Sequence, residues 1–194
     1  MTGLPRAIFV WSERWLSASA WLSAAALCCV LLAGGVACIA GEVQIGRDVA
    51  KLPPAVQRMR QAILQAAAGG DIEKLRLPID MNELPPVFGK GRGSDPIAFF
   101  KSVSADGNGR EILAILYSLL TTGYAVANPG TKSEMIVWPY HALMPPGALT
   151  PSQEVELYRF LPPARFKEMA ARGKYSFYEI GISPDGVWHY FRSE

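Results

Sequence analysis

Between Arg14 and Glu42 the chain carries no charged residue, and this uncharged run from Trp15 to Gly41 constrains everything that follows it. Its dense part, Leu22 to Ala40, is rich in Ala and Leu. The whole run exceeds the roughly 20 residues that a helix needs to cross a bilayer. Arg6 and Arg14 lie ahead of it. A positive flank followed by an apolar run is the pattern of an export signal, and the positive side stays in the cytoplasm.

Three outcomes are compatible with residues 1–41. Cys38 and Ala40 stand at the minus-three and minus-one positions of a signal-peptidase cut before Gly41, which would release a soluble domain. An uncleaved run would remain as a single-span anchor, with membrane contact through residues 15–40. Gly35-Val36-Ala37-Cys38 resembles the lipobox of bacterial lipoproteins, although Gly35 stands where that family prefers Leu; here Cys38 would carry the lipid. Each outcome places residues 42–194 beyond the cytoplasm, either periplasmic or held at the outer side of the inner membrane.

Residues 42–194 have the length of one compact domain with its own core. The net charge of the chain is +2, with 19 Lys/Arg interleaved among 17 Asp/Glu, so no strong field points to nucleic acid. Cys28, Cys29 and Cys38 all lie in the leader. A thiol nucleophile, a Cys-ligated metal, an iron–sulfur cluster and an internal disulfide are thereby excluded for the domain, and no cofactor motif replaces them.

Pro53-Pro54 opens a helix with Val56, Met59, Ile63 and Ala66 at steps of three or four, and Gly69-Gly70 closes it. Asp71 caps a short helix through Leu77, and residues 78–95 read as an irregular surface loop. Asp95-Pro96 starts another short helix. The dense apolar run within Arg110 to Thr122 predicts a helix buried on most of its circumference. Gly123–Asn128 and Lys132–Trp138 form a hairpin through a type II turn at Pro129-Gly130. Thr150-Pro151-Ser152-Gln153 is a capping box whose helix runs to Phe160 or Leu161, and a further helix reaches Gly173. Tyr175–Ser183 and Val187–Arg192 form a second hairpin around Pro184-Asp185-Gly186. The expected fold is α+β, with helices on one face of a small antiparallel sheet built from two hairpins.

The segments Ser104 to Leu113, Val137-Trp138-Pro139-Tyr140 and Gly181 to Trp188 resemble a family of uncharacterised exported bacterial proteins. The resemblance spans most of the chain after the leader. It implies a bacterial envelope location and carries no activity.

Five residues are nominated for ligand contact: Trp138, Tyr140, His141, Asp106 and Arg110. His141 follows Trp138-Pro139-Tyr140 as the chain leaves a strand, where loops often carry function. A ring set that includes Trp138 and Tyr140 is dense enough to line a groove for a sugar or an apolar ligand. Asp106, Asn108 and Gly109 are spaced like the middle of a calcium loop, but Ile115 stands where the bidentate Glu is needed, so the turn reads as a helix cap. Gly89-Lys90-Gly91-Arg92-Gly93-Ser94 lacks the P-loop and dinucleotide patterns and reads as a solvated loop, with anion binding as its alternative. His189 reads as a strand residue alternating with Val187 and Phe191. No G-x-S-x-G, S-x-x-K or H-E-x-x-H occurs. The functional expectation is a non-catalytic binding or accessory module of the envelope, contacting an envelope polymer, lipid or protein. The alternative is a small hydrolase-like enzyme that uses His141 with Glu111 or Asp106.

Overall fold

A computed structural model describes residues 43–89 and 95–193. These belong to one compact unit, Gly41–Glu194. The leader, and Lys90 to Ser94 of the glycine-rich loop, lie outside the described residues.

Six strands form one mixed sheet: β1 Gln44–Gly46, β2 Val87–Phe88, β3 Tyr124–Ala127, β4 Met135–Trp138, β5 Glu179–Ile182 and β6 Trp188–Arg192. Their order is β1-β3-β4-β5-β6-β2. The two expected hairpins, β3–β4 and β5–β6, are its centre. Sequence pattern alone left out both edges. β1 pairs antiparallel with β3, and β2 pairs parallel with β6, so the sheet is larger than two hairpins and not purely antiparallel. Both edges are too short, at three and two residues, to show alternation.

The first hairpin turns as its sequence dictates: Gly130 has φ 75°, the left-handed value a type II turn needs, and Thr131 N–H donates to Asn128 C=O at 3.2 Å. The second hairpin is irregular. Gly181 pairs with Tyr190 and Ile182 with Trp188, so two residues of β5 oppose three of β6. His189 is the extra residue of a bulge. Trp188 and Phe191 both turn inward and His189 outward, which corrects the simple alternation expected for it.

Among the described residues six α-helices accompany the sheet: α1 Pro54–Ala68, α2 Arg76–Asp80, α3 Pro96–Val103, α4 Arg110–Leu120, α5 Pro151–Leu157 and α6 Pro163–Arg172. Their starts follow the local chemistry. Asp95 accepts from Ile97 N–H at 3.0 Å, and Gln153 returns a bond to Thr150 N–H at 2.8 Å in the capping box. α5 stops at Leu157, short of the expected Phe160. Among the described residues no helix is long and apolar enough to cross a membrane.

The main core joins Val56, Met59 and Ile63 of α1 and Ile112, Leu116 and Leu119 of α4 to one sheet face. That face carries Ile136, Trp138, Ile180, Ile182, Trp188 and Phe191. The opposite face is not simply solvent. Ala125, Val137 and Gly181 lie in one row across it and are buried. Tyr190 lays its ring over Gly181 so closely that an added Cβ there would meet it at 2.3 Å. A smaller cluster of Leu157, Leu161, Phe166, Met169 and Tyr175 joins α5 to α6, and Phe160 packs against both cores.

Candidate functional site

After β4 the chain enters a 3-10 turn, Tyr140–Leu143, and the nominated residues sort themselves there by burial. Trp138 and Tyr140 are fully buried and His141 is 1% exposed. They are core side chains and present no wall to a ligand. The aromatic density read as a possible groove is instead packing: Phe88, Phe100, Trp188 and Phe191 meet edge to face at 4.6–5.8 Å between centroids. Such offsets suit the ring quadrupole.

His141 stacks on Tyr140 at 4.0 Å, meets Phe160 edge-on, and bonds through Nε2 to the Gln153 carbonyl at 2.9 Å. A carbonyl only accepts, so Nε2 carries the proton, and Nδ1 is left buried without a partner among the described residues. Burial lowers the pKa of the ring below its ordinary 6.5. A sealed neutral imidazole cannot reach a substrate from this position. Nor does it meet the carboxylates proposed for it. Asp106 accepts from the Ser104 hydroxyl and from Arg110 N–H at 3.3 Å, and Glu111 accepts from Ala105 N–H. Both caps hold the turn that starts α4, with Gly109 at φ 81° against Ile72, and the Arg110 side chain is exposed beside Tyr117. The capping role expected for Asp106 is present; a link to His141 is not.

The carboxylate that organises this region is Glu156, which sequence spacing did not single out. It accepts two bonds from Arg47 at 3.0 and 2.8 Å, one from the Tyr140 hydroxyl at 2.9 Å, and one from Gly123 N–H at 3.3 Å. Burial alone would raise its pKa, but these donors together outweigh burial and hold it below the usual carboxylate range. Burial, reinforced by Glu156, pushes the Tyr140 hydroxyl up to about 12, so it stays a donor. Three elements from distant parts of the sequence meet at one carboxylate, which only the fold reveals. The arrangement is an anchor: it fixes Arg47, directly after β1, against α5.

Arg47 in turn forms part of the wall of a groove of about 670 Å³ between β1 and the start of α1. Leu52, Tyr124, Val126 and Ile136 supply its apolar floor. Asp48, Lys51 and Glu134 join Arg47 on the rim, giving both signs of charge. A second groove, about 510 Å³, runs between Met81–Pro85 and the last hairpin. Here His189 bonds through Nε2 to the Ser183 hydroxyl at 2.8 Å, and Ser183 donates to Asp185. With the serine proton given to Asp185, His189 is the donor to Ser183, which is the reverse of a base activating a nucleophile. These bonds belong to the turn, where Val187 N–H also reaches Asp185.

No protein-family model, curated protein or solved structure matches this chain.

Proposed function

We propose that the chain is an exported, non-catalytic binding or accessory module of the cell envelope, with the groove beside β1 as its binding surface. The export reading rests on the cationic flank and the uncharged run Trp15–Gly41. The binding reading rests on one observation: a groove of about 670 Å³ with an apolar floor, whose wall residue Arg47 is fixed by Glu156 and Tyr140. A volume of roughly 300–1,000 Å³ is that of a ligand site, and a wall fixed before binding lowers the ordering cost. The rim carries both signs, so it favours a neutral or zwitterionic partner over a strongly charged one.

Full-length protein in detergent, exposed separately to peptidoglycan sacculi, phospholipid vesicles and solubilised envelope proteins, tests the proposal. Retention by one of the three, lost in Ile45→Asp at the exposed groove edge, is the expected result. Retention by none, or retention indifferent to Ile45→Asp, contradicts it.

A further inference from the structure

The second groove, independent of the one beside β1, has a chemistry of its own. Met81 and Leu84 are large apolar side chains left 52% and 61% exposed, and both line it together with Pro85 and Val187. Isolated exposed apolar residues need no explanation, but two such residues on the wall of a concavity do. Glu83 and Asp185 line the same concavity, and among the described residues Glu83 has no hydrogen-bond or ion-pair partner. The walls are held in place. Asn82 donates to the Pro78 and Ile79 carbonyls at 3.1 and 3.0 Å and accepts from Trp188 N–H at 2.8 Å, tying the Met81–Pro85 segment to the bulge of β6. The bulge turns His189 into the groove, and its Nε2 proton is committed to Ser183.

Apolar walls with carboxylates match one side-chain type, a long aliphatic stem ending in a cation. We infer that this groove receives a lysine or arginine side chain presented by a partner polypeptide, its methylenes against Met81, Leu84, Pro85 and Val187 and its charge between Glu83 and Asp185. A volume of about 510 Å³ is several times that of one such side chain, which leaves room for the flanking residues of the partner and favours a polypeptide over a free amine.

The test uses full-length protein in detergent, labelled at methionine methyl groups, with the Met81 methyl as the NMR reporter. It is titrated with the capped tripeptides Val-Lys-Leu, Val-Gln-Leu and Val-Glu-Leu, and with 1,5-diaminopentane. The lysine peptide is expected to shift the Met81 methyl, with the glutamine peptide about five-fold weaker, as befits one partly exposed charge pair. The glutamate peptide and the diamine should be weaker still. Glu83→Gln, a surface change that breaks no bond among the described residues, should reduce lysine-peptide affinity about five-fold and leave the glutamine peptide unaffected. Equal affinity for the three peptides would reduce the groove to apolar contact and overturn the inference. Stronger binding of the diamine would overturn the polypeptide, and no Met81 shift with the lysine peptide would overturn the site.

Discussion

Replacing Glu156 by Ala removes the one acceptor shared by Arg47, Tyr140 and Gly123, and its cost follows from what is stranded. Tyr140 is fully buried, so its hydroxyl has no access to water and losing its partner costs about 1–3 kcal/mol. Gly123 N–H adds about 1 kcal/mol. The Arg47 side chain is 59% exposed and turns to solvent, so its ion pair adds at most about 1 kcal/mol after screening. The sum is about 2–5 kcal/mol. For a domain of this size each kcal/mol lowers Tm by about 2–4 °C. Tyr140→Phe alone should cost about 1 kcal/mol, because Glu156 keeps its other donors. The double variant Glu156→Ala, Tyr140→Phe should therefore cost about 1 kcal/mol less than the sum of the single variants, since no hydroxyl is left stranded. Urea unfolding of the four proteins followed by circular dichroism measures the cycle. A Glu156→Ala cost below about 0.5 kcal/mol, or strict additivity, would refute the anchor.

Three further outcomes follow from the same contacts. Burial holds the folded-state pKa of His141 below 6.5, so the unfolded chain takes up the proton first as pH falls through that value. This contribution to stability is present above pH 6.5 and is lost below it, at up to about 1.4 kcal/mol per pH unit, until the folded pKa is passed. Urea midpoints at pH 7.5 and 5.5 should differ in the wild type and converge in His141→Gln; a difference that survives the substitution places the titration elsewhere. Gly181→Ala should destabilise by about 1–3 kcal/mol, because its Cβ would lie 2.3 Å from the Tyr190 ring, and a neutral melt would contradict that packing. Gly186→Ala should also lower Tm, because φ is 89° and the Cβ would approach the Ala55 carbonyl oxygen to 2.8 Å, docking the hairpin tip on α1; an unchanged Tm would show that the tip yields.

Much of the fold was legible because its signals are local. Pro53-Pro54 with Gly69-Gly70, the Asp95 cap, the Thr150–Gln153 box and Pro129-Gly130 each fix a boundary within a few residues. The edge strands were not legible, since β1 and β2 gain their identity from β3 and β6 and carry no pattern of their own. His189 was misplaced because a bulge is a mismatch between two strands, and one strand read alone shows alternation. The site residues fared worse. Tyr140 and His141 lie at an informative place, yet Tyr140 is the inner support of Arg47 and His141 is packed behind its ring, and neither forms a surface. The carboxylate that Tyr140 shares with Arg47, Glu156, comes from a helix sixteen residues on, and a shared carboxylate leaves no trace in spacing.

The most direct test of the proposal that the groove beside β1 binds an envelope component is site-specific photo-crosslinking in intact cells. Benzoylphenylalanine replaces Gln44, which lines the groove beside β1, and, as a control, Lys167 on the exposed side of α6. The account predicts an adduct with an envelope component from position 44 and none from position 167. Adducts only with cytoplasmic proteins, or equal labelling from both positions, would contradict it.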